Sequence, residues 1–192
     1  MPGEIDIIVK NAGVVSNALI EHTKPQEFGW MYRTNVLGPL LLMQAALPFL
    51  PHGRTARIVN VSSISSKEGF VEQSVYGWKQ SSPRSHDEDV GKRVGKPGTV
   101  NTIVPGPVKT GMWDKMPDEH KSGLKPWVLH TPMAAVRYEI DEESVVKESE
   151  FAGGRPAYVK EIAGIVDVLC SNDSAWCTGQ VICANGGMRM AI

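Results

Sequence analysis

Three short, mostly apolar runs constrain this chain more than anything else in it: Ile5–Val9, Arg57–Val61 and Val100–Val104. Runs of this kind read as strands buried on both faces of a parallel sheet. Helical stretches alternate with them. Pro25–Phe49 carries Leu37, Leu40, Leu41, Ala45 and Leu47 and is stopped by Pro51 and Gly53. Val159–Leu169 repeats Ile162, Ile165, Val166 and Leu169 at helical spacing. Gln180–Cys183 is a fourth short strand, followed by the turn Asn185-Gly186-Gly187. Strands alternating with helices predict an α/β domain with a parallel sheet.

Charge and cysteine content narrow the function classes. The 192 residues hold 20 Lys+Arg against 21 Asp+Glu, a net charge of -1, which excludes the broad basic field of a nucleic-acid binder. Cys170, Cys177 and Cys183 are odd in number and lack CxxC spacing, so neither a disulfide framework nor a thiolate zinc site is expected. His22, His52, His86, His120 and His130 share no ligand spacing and read as surface residues, so no metal is expected. No apolar run reaches membrane-spanning length, and no basic region precedes an apolar stretch at the N-terminus. The expectation is one soluble cytoplasmic domain over residues 1–192, in a compartment that keeps thiols reduced.

Four motifs then occur in a definite order. Asn11-Ala12-Gly13 follows the first strand, and Asn35 sits within the long helix in Thr34-Asn35-Val36-Leu37-Gly38. Ser63 ends the second strand, Tyr76 lies thirteen residues beyond it, and Pro105-Gly106-Pro107-Val108-Lys109-Thr110 follows the third strand. This order resembles the short-chain dehydrogenase/reductase family from Ile5 to Gly187. The resemblance implies a Rossmann-like, doubly wound parallel sheet. Ligand sites in such sheets lie at the carboxyl ends of the strands, where one crevice would collect Asn11, Ser63 and Pro105.

The resemblance also implies roles. Tyr76 would be the acid/base and Ser63 the hydroxyl that holds the substrate oxygen. A tyrosine starts near pKa 10, and a neighbouring ammonium lowers that by favouring phenolate. Asn35 would hold a water in the proton relay. Pro105, Gly106, Val108 and Thr110 would border the nicotinamide, and Asn11, Ala12 and Gly13 the adenosine of NAD or NADP. Plainer roles stand beside these. Asn35 suits a bond within its own helix, Ser62 and Ser63 a strand-end turn, Tyr76 a half-buried core position, and Thr110 a helix N-cap. Trp113 and Trp127 suit either the substrate side or core or lid packing.

Three departures from the family stand out. The family opens with a strand and a glycine-rich phosphate-binding turn. That glycine pattern is absent here, so the sheet is expected to lack its first three strands and to leave Ile5–Val9 as an apolar edge. Lys10 stands where the family usually has an asparagine. The active-site lysine belongs four residues after the tyrosine, yet that position is Gln80; Lys79 is one residue early, about 100° around a helix.

Trp78–Lys92 is also poor in apolar residues where a crossover helix belongs. Back-translated with permitted codons and read one base over, it becomes GSKAALEAM and onward, which restores a lysine at the family's spacing after Tyr76. A one-base frame error entering near Gly77 and leaving near Arg93–Lys96 is therefore expected. Glu139–Glu150 carries six acids and one lysine and reads as a solvated surface loop or helix, while Arg137–Phe151 reads as an insertion or retained non-coding sequence. Substrate choice falls to the variable segment, residues 111–153. The expected activity is NAD(P)-dependent oxidoreduction of a small alcohol or carbonyl compound. The alternative is a catalytically inactive remnant or partner-binding pseudoenzyme. The family commonly forms dimers or tetramers, so a homo-oligomer is among the expected partners; nucleic acid and membrane are not.

Overall fold

The apolar runs become adjacent parallel strands. The computed structural model describes residues 3–52, 55–66, 68, 70–73, 98–135 and 154–189. Its sheet runs β1 (Ile7–Lys10), β2 (Ala56–Val61), β3 (Gly98–Ile103) and β4 (Val181–Ile182), neighbours in that order. Every pair is parallel: Ile7 lies opposite Arg57, Ala56 opposite Gly98 and Thr102 opposite Val181. The helices are α1 (Pro25–Tyr32), α2 (Gly38–Ala46), α3 (Gly111–Asp114), α4 (Asp118–Val128) and α5 (Val159–Cys170). This is the expected α/β architecture.

The chain divides into two compact units. One comprises Met1–Ile103 and Val166–Ile182, the other Val104–Ile165 and Cys183–Ile192. The first holds the whole sheet. Its core joins Ile8, Ala56, Ile58 and Val100 from the strands to Met43 and Ala46 of α2 and to Leu50. Burying a side chain such as Ile58 contributes roughly 1.5–3 kcal/mol.

The apolar run Ile5–Val9 taken alone predicts a strand covered on both faces, whereas the departure from the family predicts an apolar edge, and the edge is what forms: only Ile8 of β1 is buried, while Ile7 is 50% and Val9 41% exposed. The cause is position. β1 is the outer strand of the sheet, so its second face has no layer over it among the described residues, whereas β2 and β3 are interior and buried almost throughout.

Buried polar side chains organise the rest of this unit. Asn101 on β3 donates from Nδ2 to the Cys177 carbonyl (2.7 Å) and accepts at Oδ1 from the Gln180 amide (3.1 Å). The Thr178 hydroxyl oxygen accepts from the Val100 amide at 3.0 Å. These bonds seat the chain that leads into β4 and replace the missing ladder of a two-residue strand. Buried Arg57 donates from Nε to the Ser171 carbonyl at 3.2 Å, just beyond the C-terminus of α5, where the helix dipole favours a cation.

The second unit is built on close approach. A short parallel bridge joins Val108 to Ala157, with the Ala157 amide donating to the Pro107 carbonyl (2.9 Å) and the Lys109 amide to the Ala157 carbonyl (2.8 Å). Arg155, buried, forks onto Glu161 with two contacts of 2.9 Å. Gly154 leaves no room for a side chain: a Cβ there would meet the Ala134 Cβ at 2.7 Å.

Candidate active site

The long helix is one continuous rod with a fault in it. Between α1 and α2, Arg33–Leu37 winds as a wider turn in which the Gly38 amide reaches back five residues to the Arg33 carbonyl. Such insertions gather at functional sites. Asn35 sits at its centre. Its side chain does not bond within the helix; it crosses to the loop after β1. Oδ1 accepts from the Val14 amide at 2.9 Å and Nδ2 donates to the Val14 carbonyl at 2.8 Å. Both ends of the amide are thus committed to one residue's backbone. Its main-chain carbonyl is in a different position. The ordinary helical donor to it would be residue 39, which is Pro39 and carries no N–H.

The loop that Asn35 clamps begins with Asn11, Ala12 and Gly13, all exposed at the C-terminal end of β1. A Cβ on Gly13 would meet nothing closer than 3.9 Å, so this stretch is open to a flat ligand. Farther along, the Ser16 hydroxyl donates to Glu27 of α1 at 2.8 Å and the Ala18 amide donates to the Glu72 carbonyl at 2.9 Å. The loop is therefore fixed at three points.

Ser63 leaves the same edge of the sheet. β1 and β2 pair with Lys10 opposite Asn60, so Asn11 and Ser62-Ser63 emerge side by side. Ser63 is half-buried, and its Oγ accepts from the Ser65 amide at 3.2 Å while donating to the Ser65 hydroxyl at 3.2 Å. Its carbonyl accepts from the Ser66 amide and hydroxyl at 3.0 and 2.8 Å. Ser63 is thus a strand-end turn residue as well as a candidate for catalysis. The Ser65 hydroxyl in turn donates to Oε1 of Gln73. Ser65, Gln73 and Pro39 are not among the residues the sequence motifs select. Only Pro39, four residues after Asn35, leaves a signal that could be read without coordinates. Tyr76, Lys79 and Gln80 lie outside the described residues, as do His86, the reframed stretch 78–92 and the acidic run 139–150.

In the second unit the Pro105–Thr110 loop is held from two sides. The Gly106 amide donates to the Ala184 carbonyl at 3.4 Å, and a Cβ on Gly106 would press on Asn185 at 3.2 Å. Val108 is in the bridge to Ala157. Thr110 occupies the N-cap position of α3, with its carbonyl accepting from Asp114 at 2.9 Å. Its side chain does not cap, however; the hydroxyl turns back to the Val108 carbonyl at 3.3 Å. Trp113 is buried and Trp127 40% exposed, so only the first packs as core. The histidine reading is corrected at one position: His22, His52 and His130 are exposed, whereas His120 is half-buried against the second unit's own packing.

No group of three or more His, Cys, Asp or Glu side chains suited to a metal occurs among the described residues. No helix among them is long and apolar enough to cross a membrane. All three cysteines are free thiols.

An exposed loop after the first strand, an asparagine in a widened helical turn and a serine at the end of the second strand thus gather at the carboxyl edge of a parallel α/β sheet, where ligand sites of such sheets lie. Residues 1–121 match the short chain dehydrogenase family, and the chain belongs to it. The family is one of NAD(P)-dependent oxidoreductases, and that is the class of this protein. It is 37% identical over 203 residues to an L-xylulose reductase of Aspergillus niger, across 96% of this chain and 67% of that one. It is 38% identical over 205 residues to an L-xylo-3-hexulose reductase of Hypocrea jecorina, across 98% of this chain and 67% of that one. Its fold is similar to that of the angucycline C-6 ketoreductase LanV with bound NADP, with TM-score 0.74 and 26% identity across 96% of this chain and 63% of that one. The chain thus spans about two thirds of the length of the relatives it matches.

Proposed function

We propose that this protein is a carbonyl reductase acting on a small hydroxylated ketone, or on the matching alcohol in reverse. The observation that carries the reading is the shared C-terminal edge of β1 and β2, from which Asn11–Gly13 and Ser63 emerge together, with Asn35 clamping the first of these loops. A bound nicotinamide supplies or takes up the hydride. Ser63 holds the substrate oxygen by its hydroxyl. Tyr76 gives that oxygen its proton, and Lys79 is the nearest lysine in sequence able to favour the phenolate. Asn35 holds a water in the relay. Asn11, Ala12 and Gly13 fit the adenosine end by their exposure. Pro105, Gly106, Val108 and Thr110, in the second unit, are assigned to the nicotinamide by the family resemblance alone. The pyrophosphate finds no glycine-rich turn in this sequence, and no step is assigned to it. A ketose-sized substrate is supported by relatives named as L-xylulose and L-xylo-3-hexulose reductases.

The test is fluorescence titration of NADH and NADPH against the purified chain, followed by L-xylulose reduction with and without Ser63→Ala. Saturable binding and a turnover that falls by about 10²-fold in Ser63→Ala are expected. No saturable binding up to millimolar cofactor refutes the reading and favours a non-catalytic remnant. The remaining proposals follow the same reading: residues 1–192 act as one domain, residues 111–153 set substrate choice, the protein works as a homo-oligomer, and three free thiols suit the cytoplasm. A one-base frame error across residues 77–96 accounts for Gln80 in the lysine position. Sequencing the transcript through codon 96 tests it, and a base-for-base match with these residues refutes it.

A further inference from the structure

Three side chains in the first unit form a directed chain of hydrogen bonds that ends on an amide. The Ser63 hydroxyl donates to Ser65 Oγ (3.2 Å), and the Ser65 hydroxyl donates to Gln73 Oε1. Ser65 is buried at 7% exposure, so its hydroxyl is shielded from water and depends on these neighbours. The direction of donation is set at the Gln73 end, because a carbonyl oxygen only accepts. With Oε1 facing Ser65, the Ser63 proton is turned inward. Rotation of the Gln73 amide by half a turn presents Nε2 instead, which only donates. Ser65 then donates to Ser63, and the Ser63 proton is released outward.

The backbone under Gln73 is built for this aim. Phe70–Gln73 is a tight turn closed by the Gln73 amide on the Phe70 carbonyl at 3.2 Å. Its third residue, Glu72, has φ 66, and it is the only residue besides glycine with positive φ among those described. Turns of this type favour glycine there, and a larger residue persists only where its surroundings hold it. Here the Ala18 amide does so, donating to the Glu72 carbonyl at 2.9 Å. The loop after β1 thus fixes the turn, and the turn aims Gln73 at Ser65.

We propose that Gln73 is a positioning residue whose amide sets the direction of the Ser63–Ser65 hydroxyl pair, holding the Ser63 O–H inward at rest and letting it turn outward to hydrogen-bond a substrate oxygen. The inference rests on the carbonyl-reductase reading for Ser63. Its test uses the full chain in three forms: unsubstituted, Gln73→Glu and Gln73→Met. The Ser63 hydroxyl rotamer, the torsion about Cβ–Oγ, is read from NMR couplings between its hydroxyl and Cβ protons, which need no turnover. Gln73→Glu keeps an acceptor and is expected to keep one Ser63 rotamer; Gln73→Met is expected to average it. In the kinetic arm the glutamate cannot donate while ionised. Its kcat is expected to fall on the order of ten-fold, less than the hundred-fold or more lost with an entire oxyanion donor, with cofactor KM unchanged. The deficit narrows at acid pH as the carboxyl regains a proton. A single Ser63 rotamer in Gln73→Met, or full kcat in Gln73→Glu, overturns the proposal. Absence of turnover in the unsubstituted chain overturns the functional reading instead, and the rotamer measurement then decides the positioning alone.

Discussion

Replacing Asn35 by aspartate tests the clamp with almost no change of shape. Asn35 exchanges two hydrogen bonds with Val14, at 2.9 Å into Oδ1 and 2.8 Å from Nδ2. Aspartate keeps the first. At the second it sets a carboxylate oxygen against the Val14 carbonyl, acceptor against acceptor. The loss is one hydrogen bond of about 1 kcal/mol plus about 1–2 kcal/mol for a carbonyl left unpaired, or roughly 2–3 kcal/mol in all. Protonation removes the conflict, because the carboxylic acid donates where Nδ2 did. The folded-state pKa of this aspartate therefore lies above its unfolded value of about 3.9. A group with a raised folded pKa contributes its stability below the unfolded pKa and loses it as pH rises through the folded one. The variant is thus expected to approach the unsubstituted protein at acid pH and to fall behind toward neutrality. Urea midpoints from pH 4.5 to pH 8, with hydrogen exchange at the Val14 amide, measure this. A variant as stable as the original at pH 8, with Val14 equally protected, refutes the clamp.

Three further outcomes follow from other parts of the structure. Gly154→Ala forces a methyl to within 2.7 Å of the Ala134 Cβ and 3.1 Å of its carbonyl oxygen, and a loss of about 1–3 kcal/mol is expected in chemical denaturation. Arg155→Lys gives up the bidentate fit to Glu161 while keeping the charge, so a lower melting temperature is expected in calorimetry, and one unchanged from the parent contradicts it. The Cys170 thiol is pushed up, first by burial and then by Asp167, with Arg57 opposing. Its alkylation rate is expected to inflect at higher pH than that of a free thiol, and Asp167→Asn to bring the inflection down. Because its folded pKa is raised, whatever stability the thiol adds is present at neutral pH and lost as pH climbs through that value.

The sheet was legible because its interior strands obey burial. Arg57–Val61 and Val100–Val104 fall within a residue or two of β2 and β3, since apolar runs there have two covered faces. The same pattern taken alone misleads at Ile5–Val9, because an apolar run states what a strand would bury and not where it lies in the sheet; there the edge was legible from the departure from the family. The helix from Pro25 to Phe49 is present along its whole length, but its wide turn at Arg33–Leu37 is invisible to a period of 3.6. Only Pro39, which withholds a donor, hints at it. The serine at the end of β2 was legible from its place after a strand, whereas Ser65 and Gln73 were not. Their pairing depends on a left-handed backbone at Glu72, a residue type that gives no sign of it in a sequence.

That difference has a physical order to it. Motif residues were found where one residue suffices for the chemistry, as with a hydroxyl at a strand end. Residues that act by aiming another are spread over three loops, and each is set by a bond from elsewhere. The Ala18 amide holds the Glu72 carbonyl, Gln73 then meets Ser65, and Ser65 meets Ser63. Asn35 holds the loop that contains Ala18 by its start at Val14. A weakened Asn35 clamp is therefore expected to reach the Ser63 hydroxyl through the loop and the Glu72 turn, without Asn35 touching Ser63. Asn35→Asp at pH 8 then averages the Ser63 rotamer as Gln73→Met does, while at acid pH it does not. If the rotamer stays single at pH 8 although Val14 loses protection, the two devices are independent, and the loop after β1 serves only its own exposed end.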